Sequence, residues 1–144
     1  MSIWNYVKHF KRTENWGDPD KISGQLLLTL DAIRERIGWP IVIHCAYATD
    51  GHSPHSYHYR GMAADFHFDI NYPFYFQTGT LLKILAELQF TRFIGLGVYP
   101  DWINPGFHID VRGYYARWGR IGKDKYVSWD EIMTELKRRA GLLR

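Results

Sequence analysis

The clearest periodic pattern in the chain is a stripe of apolar residues spaced three or four positions apart. This spacing predicts an amphipathic helix. Asp18 and Pro19 precede the stripe in the manner of an N-cap and a first-turn proline, so the helix is predicted to begin there, and Gly38 ends it. The stripe consists of Ile22, Leu26, Leu30, Ile33 and Ile37.

Two shorter patterns predict strands beside a histidine-rich stretch. The apolar run 41–43 is typical of a short buried strand, and it leads into a long polar stretch at 44–58. Residues 63–68 alternate, with Asp65 and His67 on one face and two phenylalanines on the other. Both patterns therefore indicate strands that flank the polar stretch.

The second half of the chain predicts two more strands and two more helices. Strands are predicted at 93–99 and around His108, separated by a turn at 100–106. The aromatic-rich stretch 71–80 is predicted to connect to a helix with a leucine stripe, and Ser128 with Glu131 forms a capping box that opens a last helix. No repeat or linker interrupts these elements, so we predict a single α+β domain over residues 1–144. The leucine stripe of the helix predicted after residues 71–80 consists of Leu81, Leu85 and Leu88.

Composition narrows the functional classes. With 46% apolar and 17% aromatic residues, a chain of 144 residues can bury a substantial core. Eighteen basic and fifteen acidic side chains give a formal charge of +3, without the Lys/Arg run that marks a nucleic-acid surface, so we expect no nucleic-acid partner. The single cysteine, Cys45, excludes an internal disulfide and is predicted to be a buried, inert thiol.

The same sequence carries no sign of membrane targeting. The first residues lack the basic start and apolar core of a signal peptide, and no apolar stretch reaches the length of a membrane span. We therefore expect a chain made in the cytoplasm, without a membrane anchor, and monomeric by default.

Two separated motifs carry the candidate chemistry. The first offers an imidazole at His58 and a carboxylate at Asp65, with Gly61 permitting a tight turn between them. The second alternates as a half-buried strand does, so that His108, Asp110 and Arg112 share one face. Two imidazoles, one carboxylate and an open fourth position form a catalytic zinc site. Each residue alone also suits an ordinary surface or ion-pairing role.

The neighbouring residues complete the candidate site. Asp110 is predicted to act as the general base, because it lies two residues beyond His108 on the same face. Arg60 and Arg112 are candidates to bind a substrate carboxylate or a developing oxyanion. Four of the seven histidines lie near the first motif, and those other than His58 are predicted to be supporting or loop residues. These are His52, His55 and His67.

The first motif reads Ser56-x-His58-x-x-Gly61-x-Ala63-x-Asp65. Followed by His108, it resembles the signature of the zinc D-Ala-D-Ala carboxypeptidases. Their relatives include phage L-Ala-D-Glu endopeptidases and the peptidase-like fold of hedgehog signalling domains. The resemblance implies a small antiparallel sheet with flanking helices, and Zn²⁺ bound by His58, Asp65 and His108. It also implies hydrolysis of a peptide bond in the peptidoglycan stem peptide, by a carboxypeptidase or an endolysin-type endopeptidase.

Two positions depart from that signature. Many relatives carry an arginine that holds the substrate where this chain has Ala48, so either Arg60 or Arg112 replaces it or the substrate differs. Several relatives also carry the general base three residues before the last histidine, where this chain has a proline. Asp110 is therefore assigned as the base, and Asp101, in the preceding turn, is the alternative.

A second functional class follows from these departures. A non-catalytic relative, such as a cell-wall-binding or phage structural module, would keep the fold and the metal without turnover. A hydrolase is favoured because the ligand set is intact. A short chain without a signal peptide would suit an enzyme that reaches the wall after phage-type release.

Overall fold

The fold is built on an open, mostly antiparallel sheet of six strands, seen in a computed structural model that describes residues 2–143. The strand order is β1-β2-β4-β3-β5-β6, and every pairing is antiparallel except the parallel pair of β3 and β5. The predicted α+β class is therefore confirmed, with one parallel pair that a purely antiparallel sheet would lack. The strands are β1 (Ile41–Cys45), β2 (Ala63–Phe68), β3 (Gly95–Tyr99), β4 (Gly106–Asp110), β5 (Ala116–Ile121) and β6 (Lys125–Val127).

Three helices contribute to an apolar core with one face of this sheet. They are α1 (Gly24–Ile37), α2 (Phe74–Glu87) and α3 (Trp129–Arg139). Leu30 and Leu85 from the helices and Phe66 and Phe107 from the strands are fully buried in one cluster. Because side chains alternate along a strand, the neighbours of these phenylalanines, including Asp65 and His108, project from the opposite face. The helices thus leave one face of the sheet available for polar side chains.

The predicted start of the first helix is wrong. Asp18 accepts a hydrogen bond from the Asp20 N–H and caps only a 3₁₀ turn at Pro19–Lys21. The helix begins at Gly24, where the Ser23 side chain accepts a hydrogen bond from the Leu26 N–H. Its end is as predicted, because Gly38 adopts the left-handed conformation with φ of 75°.

The second helix begins earlier than predicted, whereas the third agrees with its capping signal. α2 starts at Phe74, inside the stretch predicted as a connection, and it ends before Leu88. Gly79 lies within the helix and does not break it. In α3 the Ser128 hydroxyl accepts a hydrogen bond from the Glu131 N–H, as the capping box predicts.

Strands β5 and β6 are absent from the sequence-based prediction, and they extend the sheet beyond β3.

No helix among residues 2–143 combines the length and apolar character needed to cross a membrane.

Candidate metal centre

Three elements bring the predicted metal ligands together. His58 lies in a 3₁₀ turn, Tyr57–Arg60, which Ser56 caps by accepting a hydrogen bond from the His58 N–H. Asp65 on β2 and His108 on β4 are direct partners across the sheet. Asp65 and His108 are 43 residues apart along the chain, but they are neighbours in the structure.

The ligand atoms of these residues are close enough to share one cation. Asp65 Oδ1 lies 3.2 Å from His58 Nε2 and 3.0 Å from His108 Nδ1. All three ligand atoms lie within 4.8 Å of one another. Atoms bound tetrahedrally to one zinc ion lie about 3.3–3.6 Å apart, given bond lengths of about 2.0–2.2 Å. His58, Asp65 and His108 are thus positioned to bind a metal ion.

Hydrogen bonds on the far side of each imidazole fix which nitrogen faces the centre. The His58 Nδ1–H donates to the Ala46 carbonyl oxygen at 2.7 Å, which directs Nε2 towards Asp65. The His108 Nε2–H donates to Asp110 Oδ2 at 2.7 Å, which directs His108 Nδ1 towards the carboxylate of Asp65. Such partners orient metal-binding histidines and raise their basicity. The donor set and its support therefore fit a metal ion.

The electrostatics of the metal-free centre couple these groups tightly. Burial opposes a charge on His58, but the hydrogen bonds to Asp65 and Cys45 and the charge of Asp65 together outweigh it and raise the pKa of His58 to about 10. Burial likewise opposes ionisation of Asp65, yet hydrogen bonds from His108 and His58 hold the pKa of Asp65 well below its usual range. A metal ion must displace protons from both imidazoles, so its uptake weakens as the pH falls.

Asp110 is fully buried and is hydrogen-bonded to His108. Besides the His108 hydrogen bond, it receives the Arg112 Nε–H at 2.7 Å and an Arg112 terminal N–H at 2.8 Å. Burial opposes the charge on Asp110, but the bonds from Arg112 and then His108 outweigh it and lower the pKa of Asp110 to about 2. The three residues lie on one face, as the alternation predicted.

The other predicted polar residues have different surroundings. Arg60 is exposed and stacks on Tyr57 at 5.5 Å, outside the residues that line the cavity at the centre. Arg112 lines this cavity, but its guanidinium is paired with Asp110. The Asp101 carboxylate accepts hydrogen bonds from Arg139 and from the Gly122 N–H. Asp101 is also not among the residues that line this cavity.

An open cavity of about 770 Å³ lies against the candidate centre. Its wall is aromatic and includes Tyr99, Trp102 and Trp118. Trp118 lies across from Gly97, and a Cβ atom at Gly97 would come within 2.7 Å of both Trp118 Nε1 and Tyr99 Cε2. The missing side chain thus lets these rings close over the sheet beside His108, whose ring centroid is 5.3 Å from that of Trp118.

Tyr99 presents a hydroxyl group inside this aromatic wall. Its oxygen accepts a hydrogen bond from Trp118 Nε1–H at 2.9 Å, so its own hydrogen can be donated elsewhere. Burial raises the pKa of Tyr99, and the group therefore stays protonated at neutral pH. The cavity consequently contains a neutral hydrogen-bond donor.

Arg120 is a cavity residue that the sequence-based prediction missed. Its guanidinium lies 5.1 Å from the Tyr99 ring and 5.9 Å from the Tyr126 ring. Its Nε atom is buried and has no hydrogen-bond partner within residues 2–143. Alternation of side chains along β5 puts Trp118 and Arg120 on one face and could have identified Arg120. The sequence-based prediction did not include β5, so this alternation was not recognised.

The supporting histidines and the cysteine form further contacts. His52 stacks on His58 with ring centroids 4.1 Å apart, and its Nε2 lies 3.6 Å from Cys45 Sγ. Cys45 is only partly buried, so the prediction of a buried thiol is wrong. His67 pairs with His44, and His55 is exposed at the cavity.

Comparison of the chain with protein-family models, with curated proteins and with solved structures finds no match. The features that indicate a function are therefore the cluster of ligand atoms, the cavity beside it and the sequence motif that supplies the candidate ligands.

Proposed function

We propose that the chain is a zinc-dependent peptidase, similar in fold and motif to the D-Ala-D-Ala carboxypeptidases and hedgehog-type domains. Its proposed substrate is the stem peptide of peptidoglycan. The observation that carries this proposal is the convergence of two oriented imidazoles and one carboxylate beside an open cavity. Closed structural zinc sites use four protein ligands, whereas catalytic sites keep one position open.

The donor set favours zinc over Mg²⁺ and Ca²⁺. Mg²⁺ and Ca²⁺ prefer shells of oxygen ligands, whereas two imidazole nitrogens with one carboxylate oxygen suit Zn²⁺. A bound zinc ion would act as a Lewis acid on a peptide carbonyl and lower the pKa of a coordinated water. Because its ligands lie on a cavity wall, a peptide can approach from the open side.

The surrounding side chains suit the needs of peptide hydrolysis. Tyr99 can donate a hydrogen bond to the oxygen that gains negative charge during attack. Arg120 can bind a substrate carboxylate, because its buried Nε–H has no hydrogen-bond partner among the described residues and its side chain lines the cavity. Asp110, paired with Arg112, holds the His108 ring in its binding orientation. Arg120 is accordingly our candidate to replace the arginine missing at Ala48.

Asp110→Asn should weaken zinc binding by about 10- to 100-fold, because a neutral amide holds His108 and Arg112 less firmly than a carboxylate does. Once zinc saturates the variant, its rate should recover to within about tenfold of the parent rate. Equilibrium dialysis and peptide hydrolysis at increasing zinc concentrations measure the two effects. Normal zinc affinity with a rate about 10²- to 10⁴-fold lower at saturating zinc would instead assign Asp110 as the base.

Arg120→Ala should lower kcat/KM about 10- to 100-fold for a peptide with a free C-terminal carboxylate, and little for the matching C-terminal amide. The reason is the loss of a charge-assisted hydrogen-bonding partner within the cavity. Lys123→Ala is the matched control, since it removes one positive charge from the exposed turn after β5. If Arg120→Ala lowered kcat/KM equally for the peptide with a free C-terminal carboxylate and for its C-terminal amide, a carboxylate-binding role would be contradicted.

The direct test of the proposed function is incubation of the zinc-loaded protein with a synthetic stem pentapeptide ending in D-Ala-D-Ala. Mass spectrometry should detect either release of the terminal D-Ala or an internal cleavage, and a chelator should abolish it. Peptide binding without any cleavage, in protein that holds zinc, would favour the non-catalytic cell-wall-binding module. That alternative is supported by the hydrogen bonds from His108 and Arg112 that already occupy Asp110, the residue predicted to be the general base.

A further inference from the structure

A second group of metal-ligating atoms adjoins the first at His58. It comprises Cys45 Sγ at the end of β1, His52 in the following loop, and His58. One ligand atom from each residue lies within 4.8 Å of the other two. The group differs chemically from the first because it offers a thiol in place of a carboxylate.

The separation of Cys45 and His52 suits joint coordination. Sγ and Nε2 are 3.6 Å apart. A tetrahedral ion with a zinc–sulfur bond of about 2.3 Å and a zinc–nitrogen bond of about 2.0–2.1 Å holds its sulfur and nitrogen ligands about 3.5 Å apart. The two side chains could therefore bind one ion with little movement.

The backbone and neighbouring rings hold this pair in place. Cys45 is opposite Asp65, where the β1–β2 register shifts between Ile43 and Cys45. The Tyr59 hydroxyl donates to the His52 carbonyl oxygen at 2.7 Å and accepts from the His52 N–H at 2.9 Å. The His52 ring also lies nearly parallel to that of His58, with an interplanar angle of 18°. A loop histidine is thus fixed next to the thiol.

His58 has only one nitrogen to offer to a metal ion. Its Nδ1–H donates to the Ala46 carbonyl oxygen, which leaves Nε2 as the ligand atom. An imidazole nitrogen has one lone pair, so Nε2 can bind one ion at a time. An ion held by Cys45 and His52 and an ion held by Asp65 and His108 would therefore compete for it.

We propose that Cys45, His52 and His58 form a second, thiolate-containing binding position for a soft cation such as Cd²⁺, mutually exclusive with the position formed by His58, Asp65 and His108. Thiolate ligands favour soft cations over hard ones. Occupation of the second position removes His58 from the first and so inhibits hydrolysis. This inhibition rests on the proposed peptidase function, whereas the binding itself does not.

The test is a Cd²⁺ titration of the metal-free, full-length protein, followed by the ultraviolet charge-transfer absorption of a cadmium–thiolate bond. Cys45 is the only cysteine of the chain, so the band reports this residue alone. We expect the band in the parent protein and its loss in Cys45→Ser. Absence of the band while the parent protein binds Cd²⁺ would overturn the proposal.

Two further variants separate the second position from the first. His52→Ala should weaken the Cd²⁺ affinity detected by the band at least tenfold, whereas His108→Ala should retain the band because His108 belongs only to the first position. Loss of the band in folded His108→Ala would mean that the thiol binds an ion in the first position, and would overturn a separate site. Near-ultraviolet circular dichroism verifies that each variant is folded.

Competition and hydrolysis distinguish this proposal from the proposed function. Zn²⁺ and Cd²⁺ together should reach about one ion per chain, since both need His58 Nε2. Two ions bound at once would overturn mutual exclusion. A thiolate band without peptide cleavage would support the second position and contradict the peptidase function. Peptide cleavage without a thiolate band would support the peptidase function and contradict the second position.

Discussion

His108→Ala should lose both bound zinc and peptide hydrolysis. The substitution removes one of three converging ligand atoms and leaves the buried carboxylate of Asp110 without its imidazole donor. Changes to residues that only support metal ligands cost about 10- to 100-fold in metal affinity or activity, so loss of a ligand should cost more. Elemental analysis and hydrolysis of the stem pentapeptide measure the two effects.

His9→Ala is the matched control for this variant. His9 pairs with Glu35 on α1, and it is not among the residues that line the cavity. The control should therefore keep its zinc and its rate. A folded His108→Ala protein that binds zinc with the affinity of the parent protein would contradict the assigned ligand set.

Gly61→Ala should prevent stable folding or lower the free energy of unfolding by more than about 4 kcal/mol. Gly61 has a φ of 66°, and an added Cβ atom would come within 1.9 Å of the Lys21 carbonyl oxygen. That oxygen belongs to the backbone, so the clash cannot be relieved by a side-chain rotation. Urea denaturation, or the yield of soluble protein if the variant fails to fold, measures the effect.

Gly122→Ala separates steric clash from backbone strain. Gly122 also has a φ of 66°, but an added Cβ atom would meet nothing within 4 Å. Its substitution should cost only about 1–2 kcal/mol, the strain of a left-handed residue. If both variants lost a similar amount of unfolding free energy, the contact with Lys21 would not be the cause of the effect of Gly61→Ala. Gly61 matters for the site because it ends the turn that carries His58.

The parts of the fold that follow from local sequence signals could be predicted. Alternation correctly separated Asp65 and His67 from the buried phenylalanines of β2. The capping box at Ser128 located the start of α3, because the cap and its partner are three residues apart. The candidate metal ligands were identified from two short motifs and from the resemblance that these motifs carry, and the structure positions all three to bind a metal ion.

The remaining features depend on contacts between distant segments. Asp18 and Ser23 are both good cap residues, and local sequence did not decide which one opens the helix. β5 lies beside β3 in parallel, a pairing that no adjacent turn specifies. Without β5, Arg120 could not be assigned to the cavity. Asp110 likewise forms hydrogen bonds with Arg112. Alternation along the sequence indicated the direction of the Arg112 side chain, but it did not indicate this pairing.

Metal content tests the central claim most directly. Elemental analysis of the purified protein, beside its His58→Ala variant, should find about one zinc ion per chain in the parent protein and almost none in the variant. Folded parent protein that contains no metal, and that was never exposed to a chelator, would contradict the zinc peptidase proposal.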